Sequence, residues 1–195
     1  MELYTLDNFL PPELHRKAYL YAQNAPARWG EYDDDPAKPS GSSVQVAASE
    51  PIYQKFEQVA RGEFKVLEGF DLVRMYINVF FPSEVPRWHF DVVPRWHFDV
   101  VPIDGLDGYT VLYYPHLNWE RNQGGCTEFW VEDHVYGSLP LPNRAICFEG
   151  SQWHRATVFP DTVRFTFAMK FEKVTDDTLD LRAYGSSRNT RYDGN

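Results

Sequence analysis

The chain has 195 residues, of which 43% are hydrophobic and 24% charged, and its formal net charge is −9. This length suits one well-packed domain, which we predict over residues 1–195, and the acidic balance argues against a broad nucleic-acid or anionic-membrane surface. Two cysteines are too few for a disulfide framework, the first residues lack the blocks of a signal peptide, and no apolar run approaches the roughly 20 residues that cross a bilayer. We therefore predict a cytoplasmic protein with neither a membrane nor a nucleic-acid partner, and the composition leaves its oligomeric state open.

The first third of the chain predicts two helices. Residues 11–23 and 51–61 carry apolar side chains at helical spacing, and each run begins at a proline, which favours the first turn of a helix. Gly62 is expected to end the second helix. Residues 24–43 are rich in Pro, Gly, Asp and Ser and predict a loop. Together these segments form a helical N-terminal part over about residues 1–65.

Beyond residue 70 the pattern changes to short β-type runs separated by turn residues. Besides the repeat described next, the predicted strands are residues 72–81, 109–114, 127–131, 145–148, 154–158 and 163–172. Strands at this spacing are typical of a sandwich or barrel, so we predict a mainly β fold with flanking helices and a core over about residues 70–172. Residues 174–195 form a polar tail.

An octapeptide, VPRWHFDV, occurs twice without a gap over residues 85–100. Each copy carries a His-x-Asp triplet, which is His89 and Asp91 in the first copy and His97 and Asp99 in the second. Residues two apart on a strand point to the same face, so the imidazole and the carboxylate of one copy can converge on one cation. Eight residues of strand span roughly 26 Å, so both copies cannot bind the same ion unless the chain doubles back.

A metal site of this kind needs a third ligand from elsewhere in the chain. His154, within the sequence Gln-Trp-His-Arg, is the best candidate. Two histidines and one carboxylate leave open positions on a non-haem Fe(II), which is the arrangement that oxygenases use.

The order of the motifs after the repeat is more specific than any one of them. They are Thr110-Val-Leu-Tyr-Tyr114, Leu117-Asn-Trp119, Gly124-Gly-Cys-Thr127, Asn143-Arg144, Trp153-His154 and Arg164-Phe-Thr166. This series resembles the 2-oxoglutarate and Fe(II)-dependent dioxygenases, in particular their prolyl-4-hydroxylase-like branch, over roughly residues 70–172. The resemblance implies a double-stranded β-helix, or jelly roll, with N-terminal helices packed on one sheet. It also implies Fe(II) and 2-oxoglutarate as cofactor and cosubstrate, with ascorbate as a further candidate.

The same resemblance assigns roles around the cosubstrate. Arg164, ten residues after His154, matches the family's ligand for the distal carboxylate of 2-oxoglutarate. A planar guanidinium can bind a carboxylate through two parallel hydrogen bonds, and Thr166 shares the strand face of Arg164. Tyr114 matches a further hydrogen-bonding position. The alternatives are a surface arginine in an ion pair and a tyrosine that only fills the core.

Two features disagree on which copy of the repeat binds the metal. Residues 82–89, Pro-Ser-Glu-Val-Pro-Arg-Trp-His, fit the family pattern and favour the first copy, whereas the spacing to Thr110 favours the second. We predict His89 and Asp91 as ligands, with His97 and Asp99 as the alternative pair. Residues 93–108 then form a long flap, which costs little because loop-closure entropy grows slowly with length.

The remaining histidines are expected to lie outside the chemistry, with substrate contact by His116 or His134 as the alternative. His116 and His134 lie in loop-like sequence and are predicted to be solvated, and His15 is predicted to be exposed on the first helix. Gly124 and Gly125 are assigned only a tight turn.

The favoured function is hydroxylation of an unactivated C–H bond in a small polar molecule or in a residue on a polymer, with release of succinate and CO2. Two alternatives stay open. A Zn(II) hydrolase could use the same three ligands, and a non-catalytic jelly-roll binding module would keep the strands without binding iron. The sequence does not identify the substrate that is oxidised.

Overall fold

The computed structural model describes residues 3–31, 41–82, 108–157, 159 and 162–173. The helices in these ranges are α1 (Pro12–Asn24), α2 (Pro51–Glu63) and two short 3₁₀ helices, Lys65–Leu67 and Arg121–Gln123. The strands are β1 (Leu3–Leu6), β2 (Arg28–Glu31), β3 (Gly41–Gln45), β4 (Asp71–Phe80), β5 (Gly108–Tyr114), β6 (Thr127–Val131), β7 (His134–Ser138), β8 (Arg144–Glu149), β9 (His154–Ala156) and β10 (Arg164–Glu172). None of the described helices is both long and apolar enough to span a bilayer.

The duplicated octapeptide lies outside the described residues. The ligand assignments to His89, Asp91, His97 and Asp99 therefore stay predictions, as do the flap before Gly108 and the tail over residues 174–195.

Two antiparallel sheets make up the described β structure. The larger has seven strands in the order β1-β8-β5-β10-β4-β3-β2, and the smaller has three in the order β7-β6-β9. The last strand in sequence, β10, lies at the centre of the large sheet, between β5 and β4. The predicted mainly β fold with flanking helices is confirmed.

The outer face of the large sheet packs against the two helices. Phe56 of α2 has no exposed surface, and its ring centroid lies 4.8 Å from that of Phe167 on β10 and 5.1 Å from that of Tyr113 on β5. Ala18 and Ala60 are also fully buried on the helices, and such small side chains allow close approach to the sheet. The predicted packing of the N-terminal helices on one sheet is confirmed.

Helix α2 continues one residue past Gly62, so the prediction that this glycine ends it is wrong. The helix ends where Phe64 turns into the core, 5% exposed, with its N–H donated to the carbonyl of Ala60. Burial of a phenylalanine therefore fixes the end of the helix.

The inner face of the large sheet meets the small sheet. Alternate residues of neighbouring strands form an apolar cluster with Phe129 of β6; they are Tyr76, Leu112, Tyr114, Ile146, Phe148 and Ala168. The same face carries the buried polar residues Arg164, Thr166 and Lys170 of β10. A strand with an apolar outer face and a polar inner face thus lines the space between the sheets.

Asn143 joins the start of α1 to the β-structure. Its Oδ1 accepts the N–H of Leu10 at 2.9 Å and the hydroxyl of Tyr113 at 3.2 Å, and its Nδ2 donates to the carbonyl of Leu10 at 2.8 Å. Its φ of 59° is in the left-handed region, which asparagine tolerates better than most residues. This side chain therefore fixes where α1 begins over the sheet.

Three strands were not predicted. β2 falls within the predicted loop over residues 24–43, β3 begins in that loop and ends two residues past it, and β7 begins at His134. In the order of their sheets, β2 and β7 are terminal strands and β3 is next to one. Backbone pairing with a neighbour, rather than an alternating apolar pattern of their own, defines such strands.

Candidate functional site

Arg164 begins β10 and is almost completely buried, with 2% of its surface exposed. Its Nη2 donates to the Thr127 hydroxyl oxygen at 2.8 Å. Its guanidinium carbon lies 5.4 Å from the Tyr114 ring centroid and 5.6 Å from that of Phe80, which is opposite it on β4. The alternative of a surface arginine is therefore wrong.

The charge of Arg164 has no carboxylate partner in the part of the chain that the structure describes. Burial lowers the pKa of the guanidinium, and the nearby Tyr114 and Cys126 only partly offset this effect. An arginine does not lose its proton in a protein, so the positive charge stays in the interior. Because an unpaired buried charge is costly, this site calls for an anion from outside the described chain.

Thr127 is the polar junction beside this arginine. Its Oγ1 accepts the Tyr114 hydroxyl at 2.7 Å as well as the Arg164 donor. Burial raises the pKa of Tyr114, so that hydroxyl keeps its proton and donates. A threonine oxygen has two lone pairs and one proton, so with both lone pairs accepting, the Thr127 O–H is left to donate to a further acceptor. The sequence motif contained Thr127, but no role had been predicted for it.

Three buried side-chain atoms in the described ranges have no hydrogen-bond partner. They are Arg164 Nε, Thr166 Oγ1 and Ser138 Oγ. Thr166 follows Arg164 by two residues on the same strand face, and Ser138 lies opposite Thr127 in the β6–β7 ladder. Buried polar groups are nearly always paired, so these three unpaired groups indicate a ligand site.

Gly125 allows the chain to approach the stem of Arg164. A Cβ at this position would lie 2.9 Å from the Trp119 ring and 3.5 Å from Arg164 Cδ, and its φ of +70° disfavours other residues. Gly124 also has a positive φ of 70°. The predicted glycine turn therefore has a second role, which is to close the wall beside the guanidinium.

His154 lies on β9 and is 3% exposed. Its Nδ1 is 2.9 Å from the carbonyl of Gln152, and because a carbonyl only accepts, Nδ1 carries a proton and donates. Its ring packs against Phe148 and Phe129, at centroid distances of 4.9 Å and 6.0 Å. In metal-binding histidines, one ring nitrogen is commonly oriented by a carbonyl in this way.

Strand β6 links His154 to Arg164. Thr127 contacts Arg164, and Phe129, two residues further on the same face, lies opposite His154. Two residues of strand correspond to about 7 Å. The structure thus brings Arg164, Thr166 and Tyr114 together, with His154 farther along the same inner face.

The other two predicted metal ligands are in the repeat, outside the described residues. Within the described ranges, no group of three His, Cys, Asp or Glu side chains could hold a metal ion.

His116 is buried, with 4% exposed, so its prediction as a solvated histidine is wrong. Its Nε2 accepts the backbone N–H of Phe165 at 3.0 Å. Burial lowers the pKa of His116 to about 3, and the positive charges of Arg164 and His15 act in the same direction. His15 is also partly buried rather than exposed, and its Nε2 contacts the carbonyls of Pro115 and His116.

His134 is exposed as predicted, although it begins a strand.

No protein-family model and no curated protein matches the sequence. Solved structures do match. A prolyl-4-hydroxylase from Pseudomonas putida superposes with a TM-score of 0.66 at 11% identity, covering 89% of this chain and 93% of that chain. The chain shares the fold of this enzyme.

Two further solved structures extend this likeness. A prolyl hydroxylase from Trichoplax adhaerens, in complex with a hypoxia inducible factor peptide fragment, has a TM-score of 0.65 at 16% identity, with 88% of this chain and 83% of that chain covered. HygX from Streptomyces hygroscopicus, with nickel and 2-oxoglutarate bound, has a TM-score of 0.63 at 9% identity, with coverages of 87% and 82%. The predicted jelly roll is confirmed.

Proposed function

We propose that the chain is a 2-oxoglutarate- and Fe(II)-dependent oxygenase in which Arg164 binds the distal carboxylate of 2-oxoglutarate. The observation that carries this proposal is the buried guanidinium, which has an unpaired Nε and no described carboxylate partner. A buried arginine that served only the fold would be paired with an acidic side chain.

A carboxylate fits the donors at this position. The unpaired Nε can share a carboxylate with a terminal nitrogen of the same guanidinium in the bidentate arrangement that arginine favours. The Thr166 and Ser138 hydroxyls, together with the Thr127 O–H, can donate to the remaining lone pairs. Tyr114 is bonded to Thr127, so we assign it the role of orienting that hydroxyl.

The remainder of the cosubstrate would extend along β6 toward His154. We propose His154, His89 and Asp91 as the ligands of Fe(II), with His97 and Asp99 as the alternative pair. This set leaves coordination positions for the keto acid and for O2. When bound, iron and 2-oxoglutarate supply the oxidation of an unactivated C–H bond, with succinate and CO2 as coproducts. A viral collagen prolyl hydroxylase solved as a 2-oxoglutarate complex, with a TM-score of 0.61, supports this choice.

The chain's own side chains bind, orient and exclude water. The rings of Phe148 and Phe129 hold the His154 imidazole in one orientation, and the Gln152 carbonyl fixes its tautomer. Burial of Arg164 strengthens its attraction for an anion, because the local dielectric is low.

The proposed substrate is a small polar molecule or a residue on a polymer. The peptide complex of the Trichoplax adhaerens neighbour favours a residue on a peptide.

The decisive experiment compares two keto acids by anaerobic calorimetry on the Fe(II)-loaded protein. 2-Oxoglutarate should bind tightly, whereas 2-oxopentanoate, which lacks the distal carboxylate, should bind much more weakly. The Arg164→Met variant should lose this difference. Equal affinities in the unmodified protein would refute the proposal.

A turnover assay separates the alternatives. An oxygenase forms succinate only with O2, Fe(II) and 2-oxoglutarate. A Zn(II) hydrolase would work without O2 or a keto acid, and a binding module would bind no iron.

A further inference from the structure

The ladder between β5 and β10 stops before Arg164. Its last pair is Phe167 opposite Tyr113, and continuing the register would place Pro115 opposite Phe165. A proline has no N–H to give to the Phe165 carbonyl, and the Pro115 carbonyl contacts His15 rather than the Phe165 N–H. The Phe165 N–H then lacks a strand carbonyl, and Nε2 of His116 accepts it instead at 3.0 Å.

A second histidine completes the turn. His15 of α1 places its Nε2 3.0 Å from the carbonyl of Pro115 and 2.9 Å from that of His116. Because a carbonyl only accepts, this nitrogen donates. His116 thus accepts the N–H that the ladder leaves unpaired on β10. His15 donates to the carbonyls of the turn and ties the turn to α1.

Contacts continue from His116 to the side chain of Arg164. The rings of His116 and Trp119 are 4.6 Å apart, and Trp119 donates its Nε1–H to the carbonyl of Gly124 at 3.1 Å. Trp119 lies over Gly125, which in turn is against the Cδ of Arg164. The His116 imidazole therefore contacts the backbone of Phe165, next to Arg164, and also Trp119, which packs on Gly125 beside the aliphatic part of the Arg164 side chain.

We propose that His116 is the positioning residue for Arg164: by accepting the Phe165 N–H, it fixes the start of β10 so that the guanidinium faces Thr127 and the distal carboxylate. This inference rests on the proposed function. The imidazole must be neutral to act, because a protonated ring would turn an Nε2–H donor toward the Phe165 N–H and add a second positive charge beside Arg164.

The test uses a pair of variants that differ in one acceptor. His116→Gln can place Oε1 near the position of the imidazole Nε2, whereas His116→Leu cannot accept a hydrogen bond, and both lack the aromatic ring. Calorimetry on the Fe(II)-loaded protein without O2 would measure the Kd of 2-oxoglutarate and of 2-oxopentanoate. We expect His116→Leu to weaken 2-oxoglutarate about tenfold relative to His116→Gln, with the Kd of 2-oxopentanoate unchanged.

A control variant distinguishes a positioning role from a general loss of stability. Asn143→Ala removes the side-chain bonds that hold Leu10 and Tyr113, so it should lower stability and leave both dissociation constants unchanged. If His116→Leu fails to fold, His116→Asn, whose amide is shorter, takes its place beside His116→Gln.

Each remaining outcome has one meaning. Equal affinities for the two keto acids in the unmodified protein would refute the proposed function and this inference with it. Discrimination in the unmodified protein, with no difference between the two His116 variants or with equal weakening of both ligands, would refute the positioning role alone.

Discussion

The guanidinium of Arg164 and the hydroxyl of Thr127 meet across 2.8 Å and join the two sheets of the jelly roll. Arg164 belongs to the centre of the large sheet and Thr127 to the small one. Tyr114, on the neighbouring strand of the large sheet, donates to the same oxygen. One threonine hydroxyl thus sets the position of a buried charge, and this arrangement leads to the first two predictions.

Replacing Arg164 with methionine should weaken the binding of 2-oxoglutarate without lowering the stability of the fold. Removing a buried charge without a described acidic partner should leave the free energy of unfolding unchanged or higher, because an apolar side chain of similar length avoids the desolvation penalty. The Kd of 2-oxoglutarate should rise about a hundredfold, since hydrogen bonds to a charged group contribute about 1.5–3 kcal/mol. Urea denaturation and calorimetry measure the two effects. A loss of several kcal/mol in stability would instead indicate that Arg164 serves the fold.

Replacing Thr127 with valine should destabilise the protein by about 1–3 kcal/mol, because the buried Tyr114 hydroxyl and the Arg164 Nη2 donor would both lose their acceptor. Adding Tyr114→Phe to that variant should recover the part of the loss that comes from the unpaired hydroxyl, while the Arg164 donor still lacks its acceptor. Thr127→Ser, which keeps the oxygen, is the control. Additive losses in the double variant would show that the two hydroxyls are not coupled.

His116 should make stability depend on pH. Its pKa is lowered in the folded protein to about 3 from an unfolded value of 6.5, so the unfolded chain binds the proton more readily between these values. Stability is then fully present above about pH 6.5 and is lost as the pH falls toward 3, by up to about 1.4 kcal/mol per pH unit. His116→Gln should have a shallower dependence, measured by urea denaturation at each pH. Parallel profiles for the two proteins would contradict this expectation.

The two copies of the octapeptide can be distinguished by single substitutions. If the first copy binds the metal, Asp91→Ala should abolish Fe(II)-dependent succinate formation and Asp99→Ala should not. His154→Ala should abolish it in either case and serves as the control. Loss in Asp99→Ala with turnover intact in Asp91→Ala would move the site to the second copy.

The sequence predicts that Arg164 and Thr166 share one face of a strand, because strand parity is a local property. Side chains two apart share a face wherever the strand lies, so the polar inner and apolar outer faces of β10 follow from the sequence itself. The prediction for His116 is wrong because the local sequence does not show that the β5–β10 ladder stops before Pro115. Nor does it show that the Phe165 N–H then needs another acceptor. The burial of His116 depends on β10, 49 residues away in sequence.

The role of Thr127 and the edge strands could not be predicted for related reasons. A threonine in a strand is common, and only the pairing of two sheets places its oxygen between Tyr114 and Arg164. Strand β7 is exposed at most of its positions, so it carries no apolar alternation that the sequence could reveal. Contacts between distant segments determine both features.

The central place of β10 affects how the chain can fold during synthesis. In the described large sheet, β1, β8 and β5 form one block and β4, β3 and β2 another, and β10 alone joins them. A ribosome must therefore release nearly the whole core before the two blocks can unite, and until then both present open edges to chaperones or to other nascent chains. Because β10 begins with Arg164, the strand that completes the sheet is also the one that brings the buried cation into it.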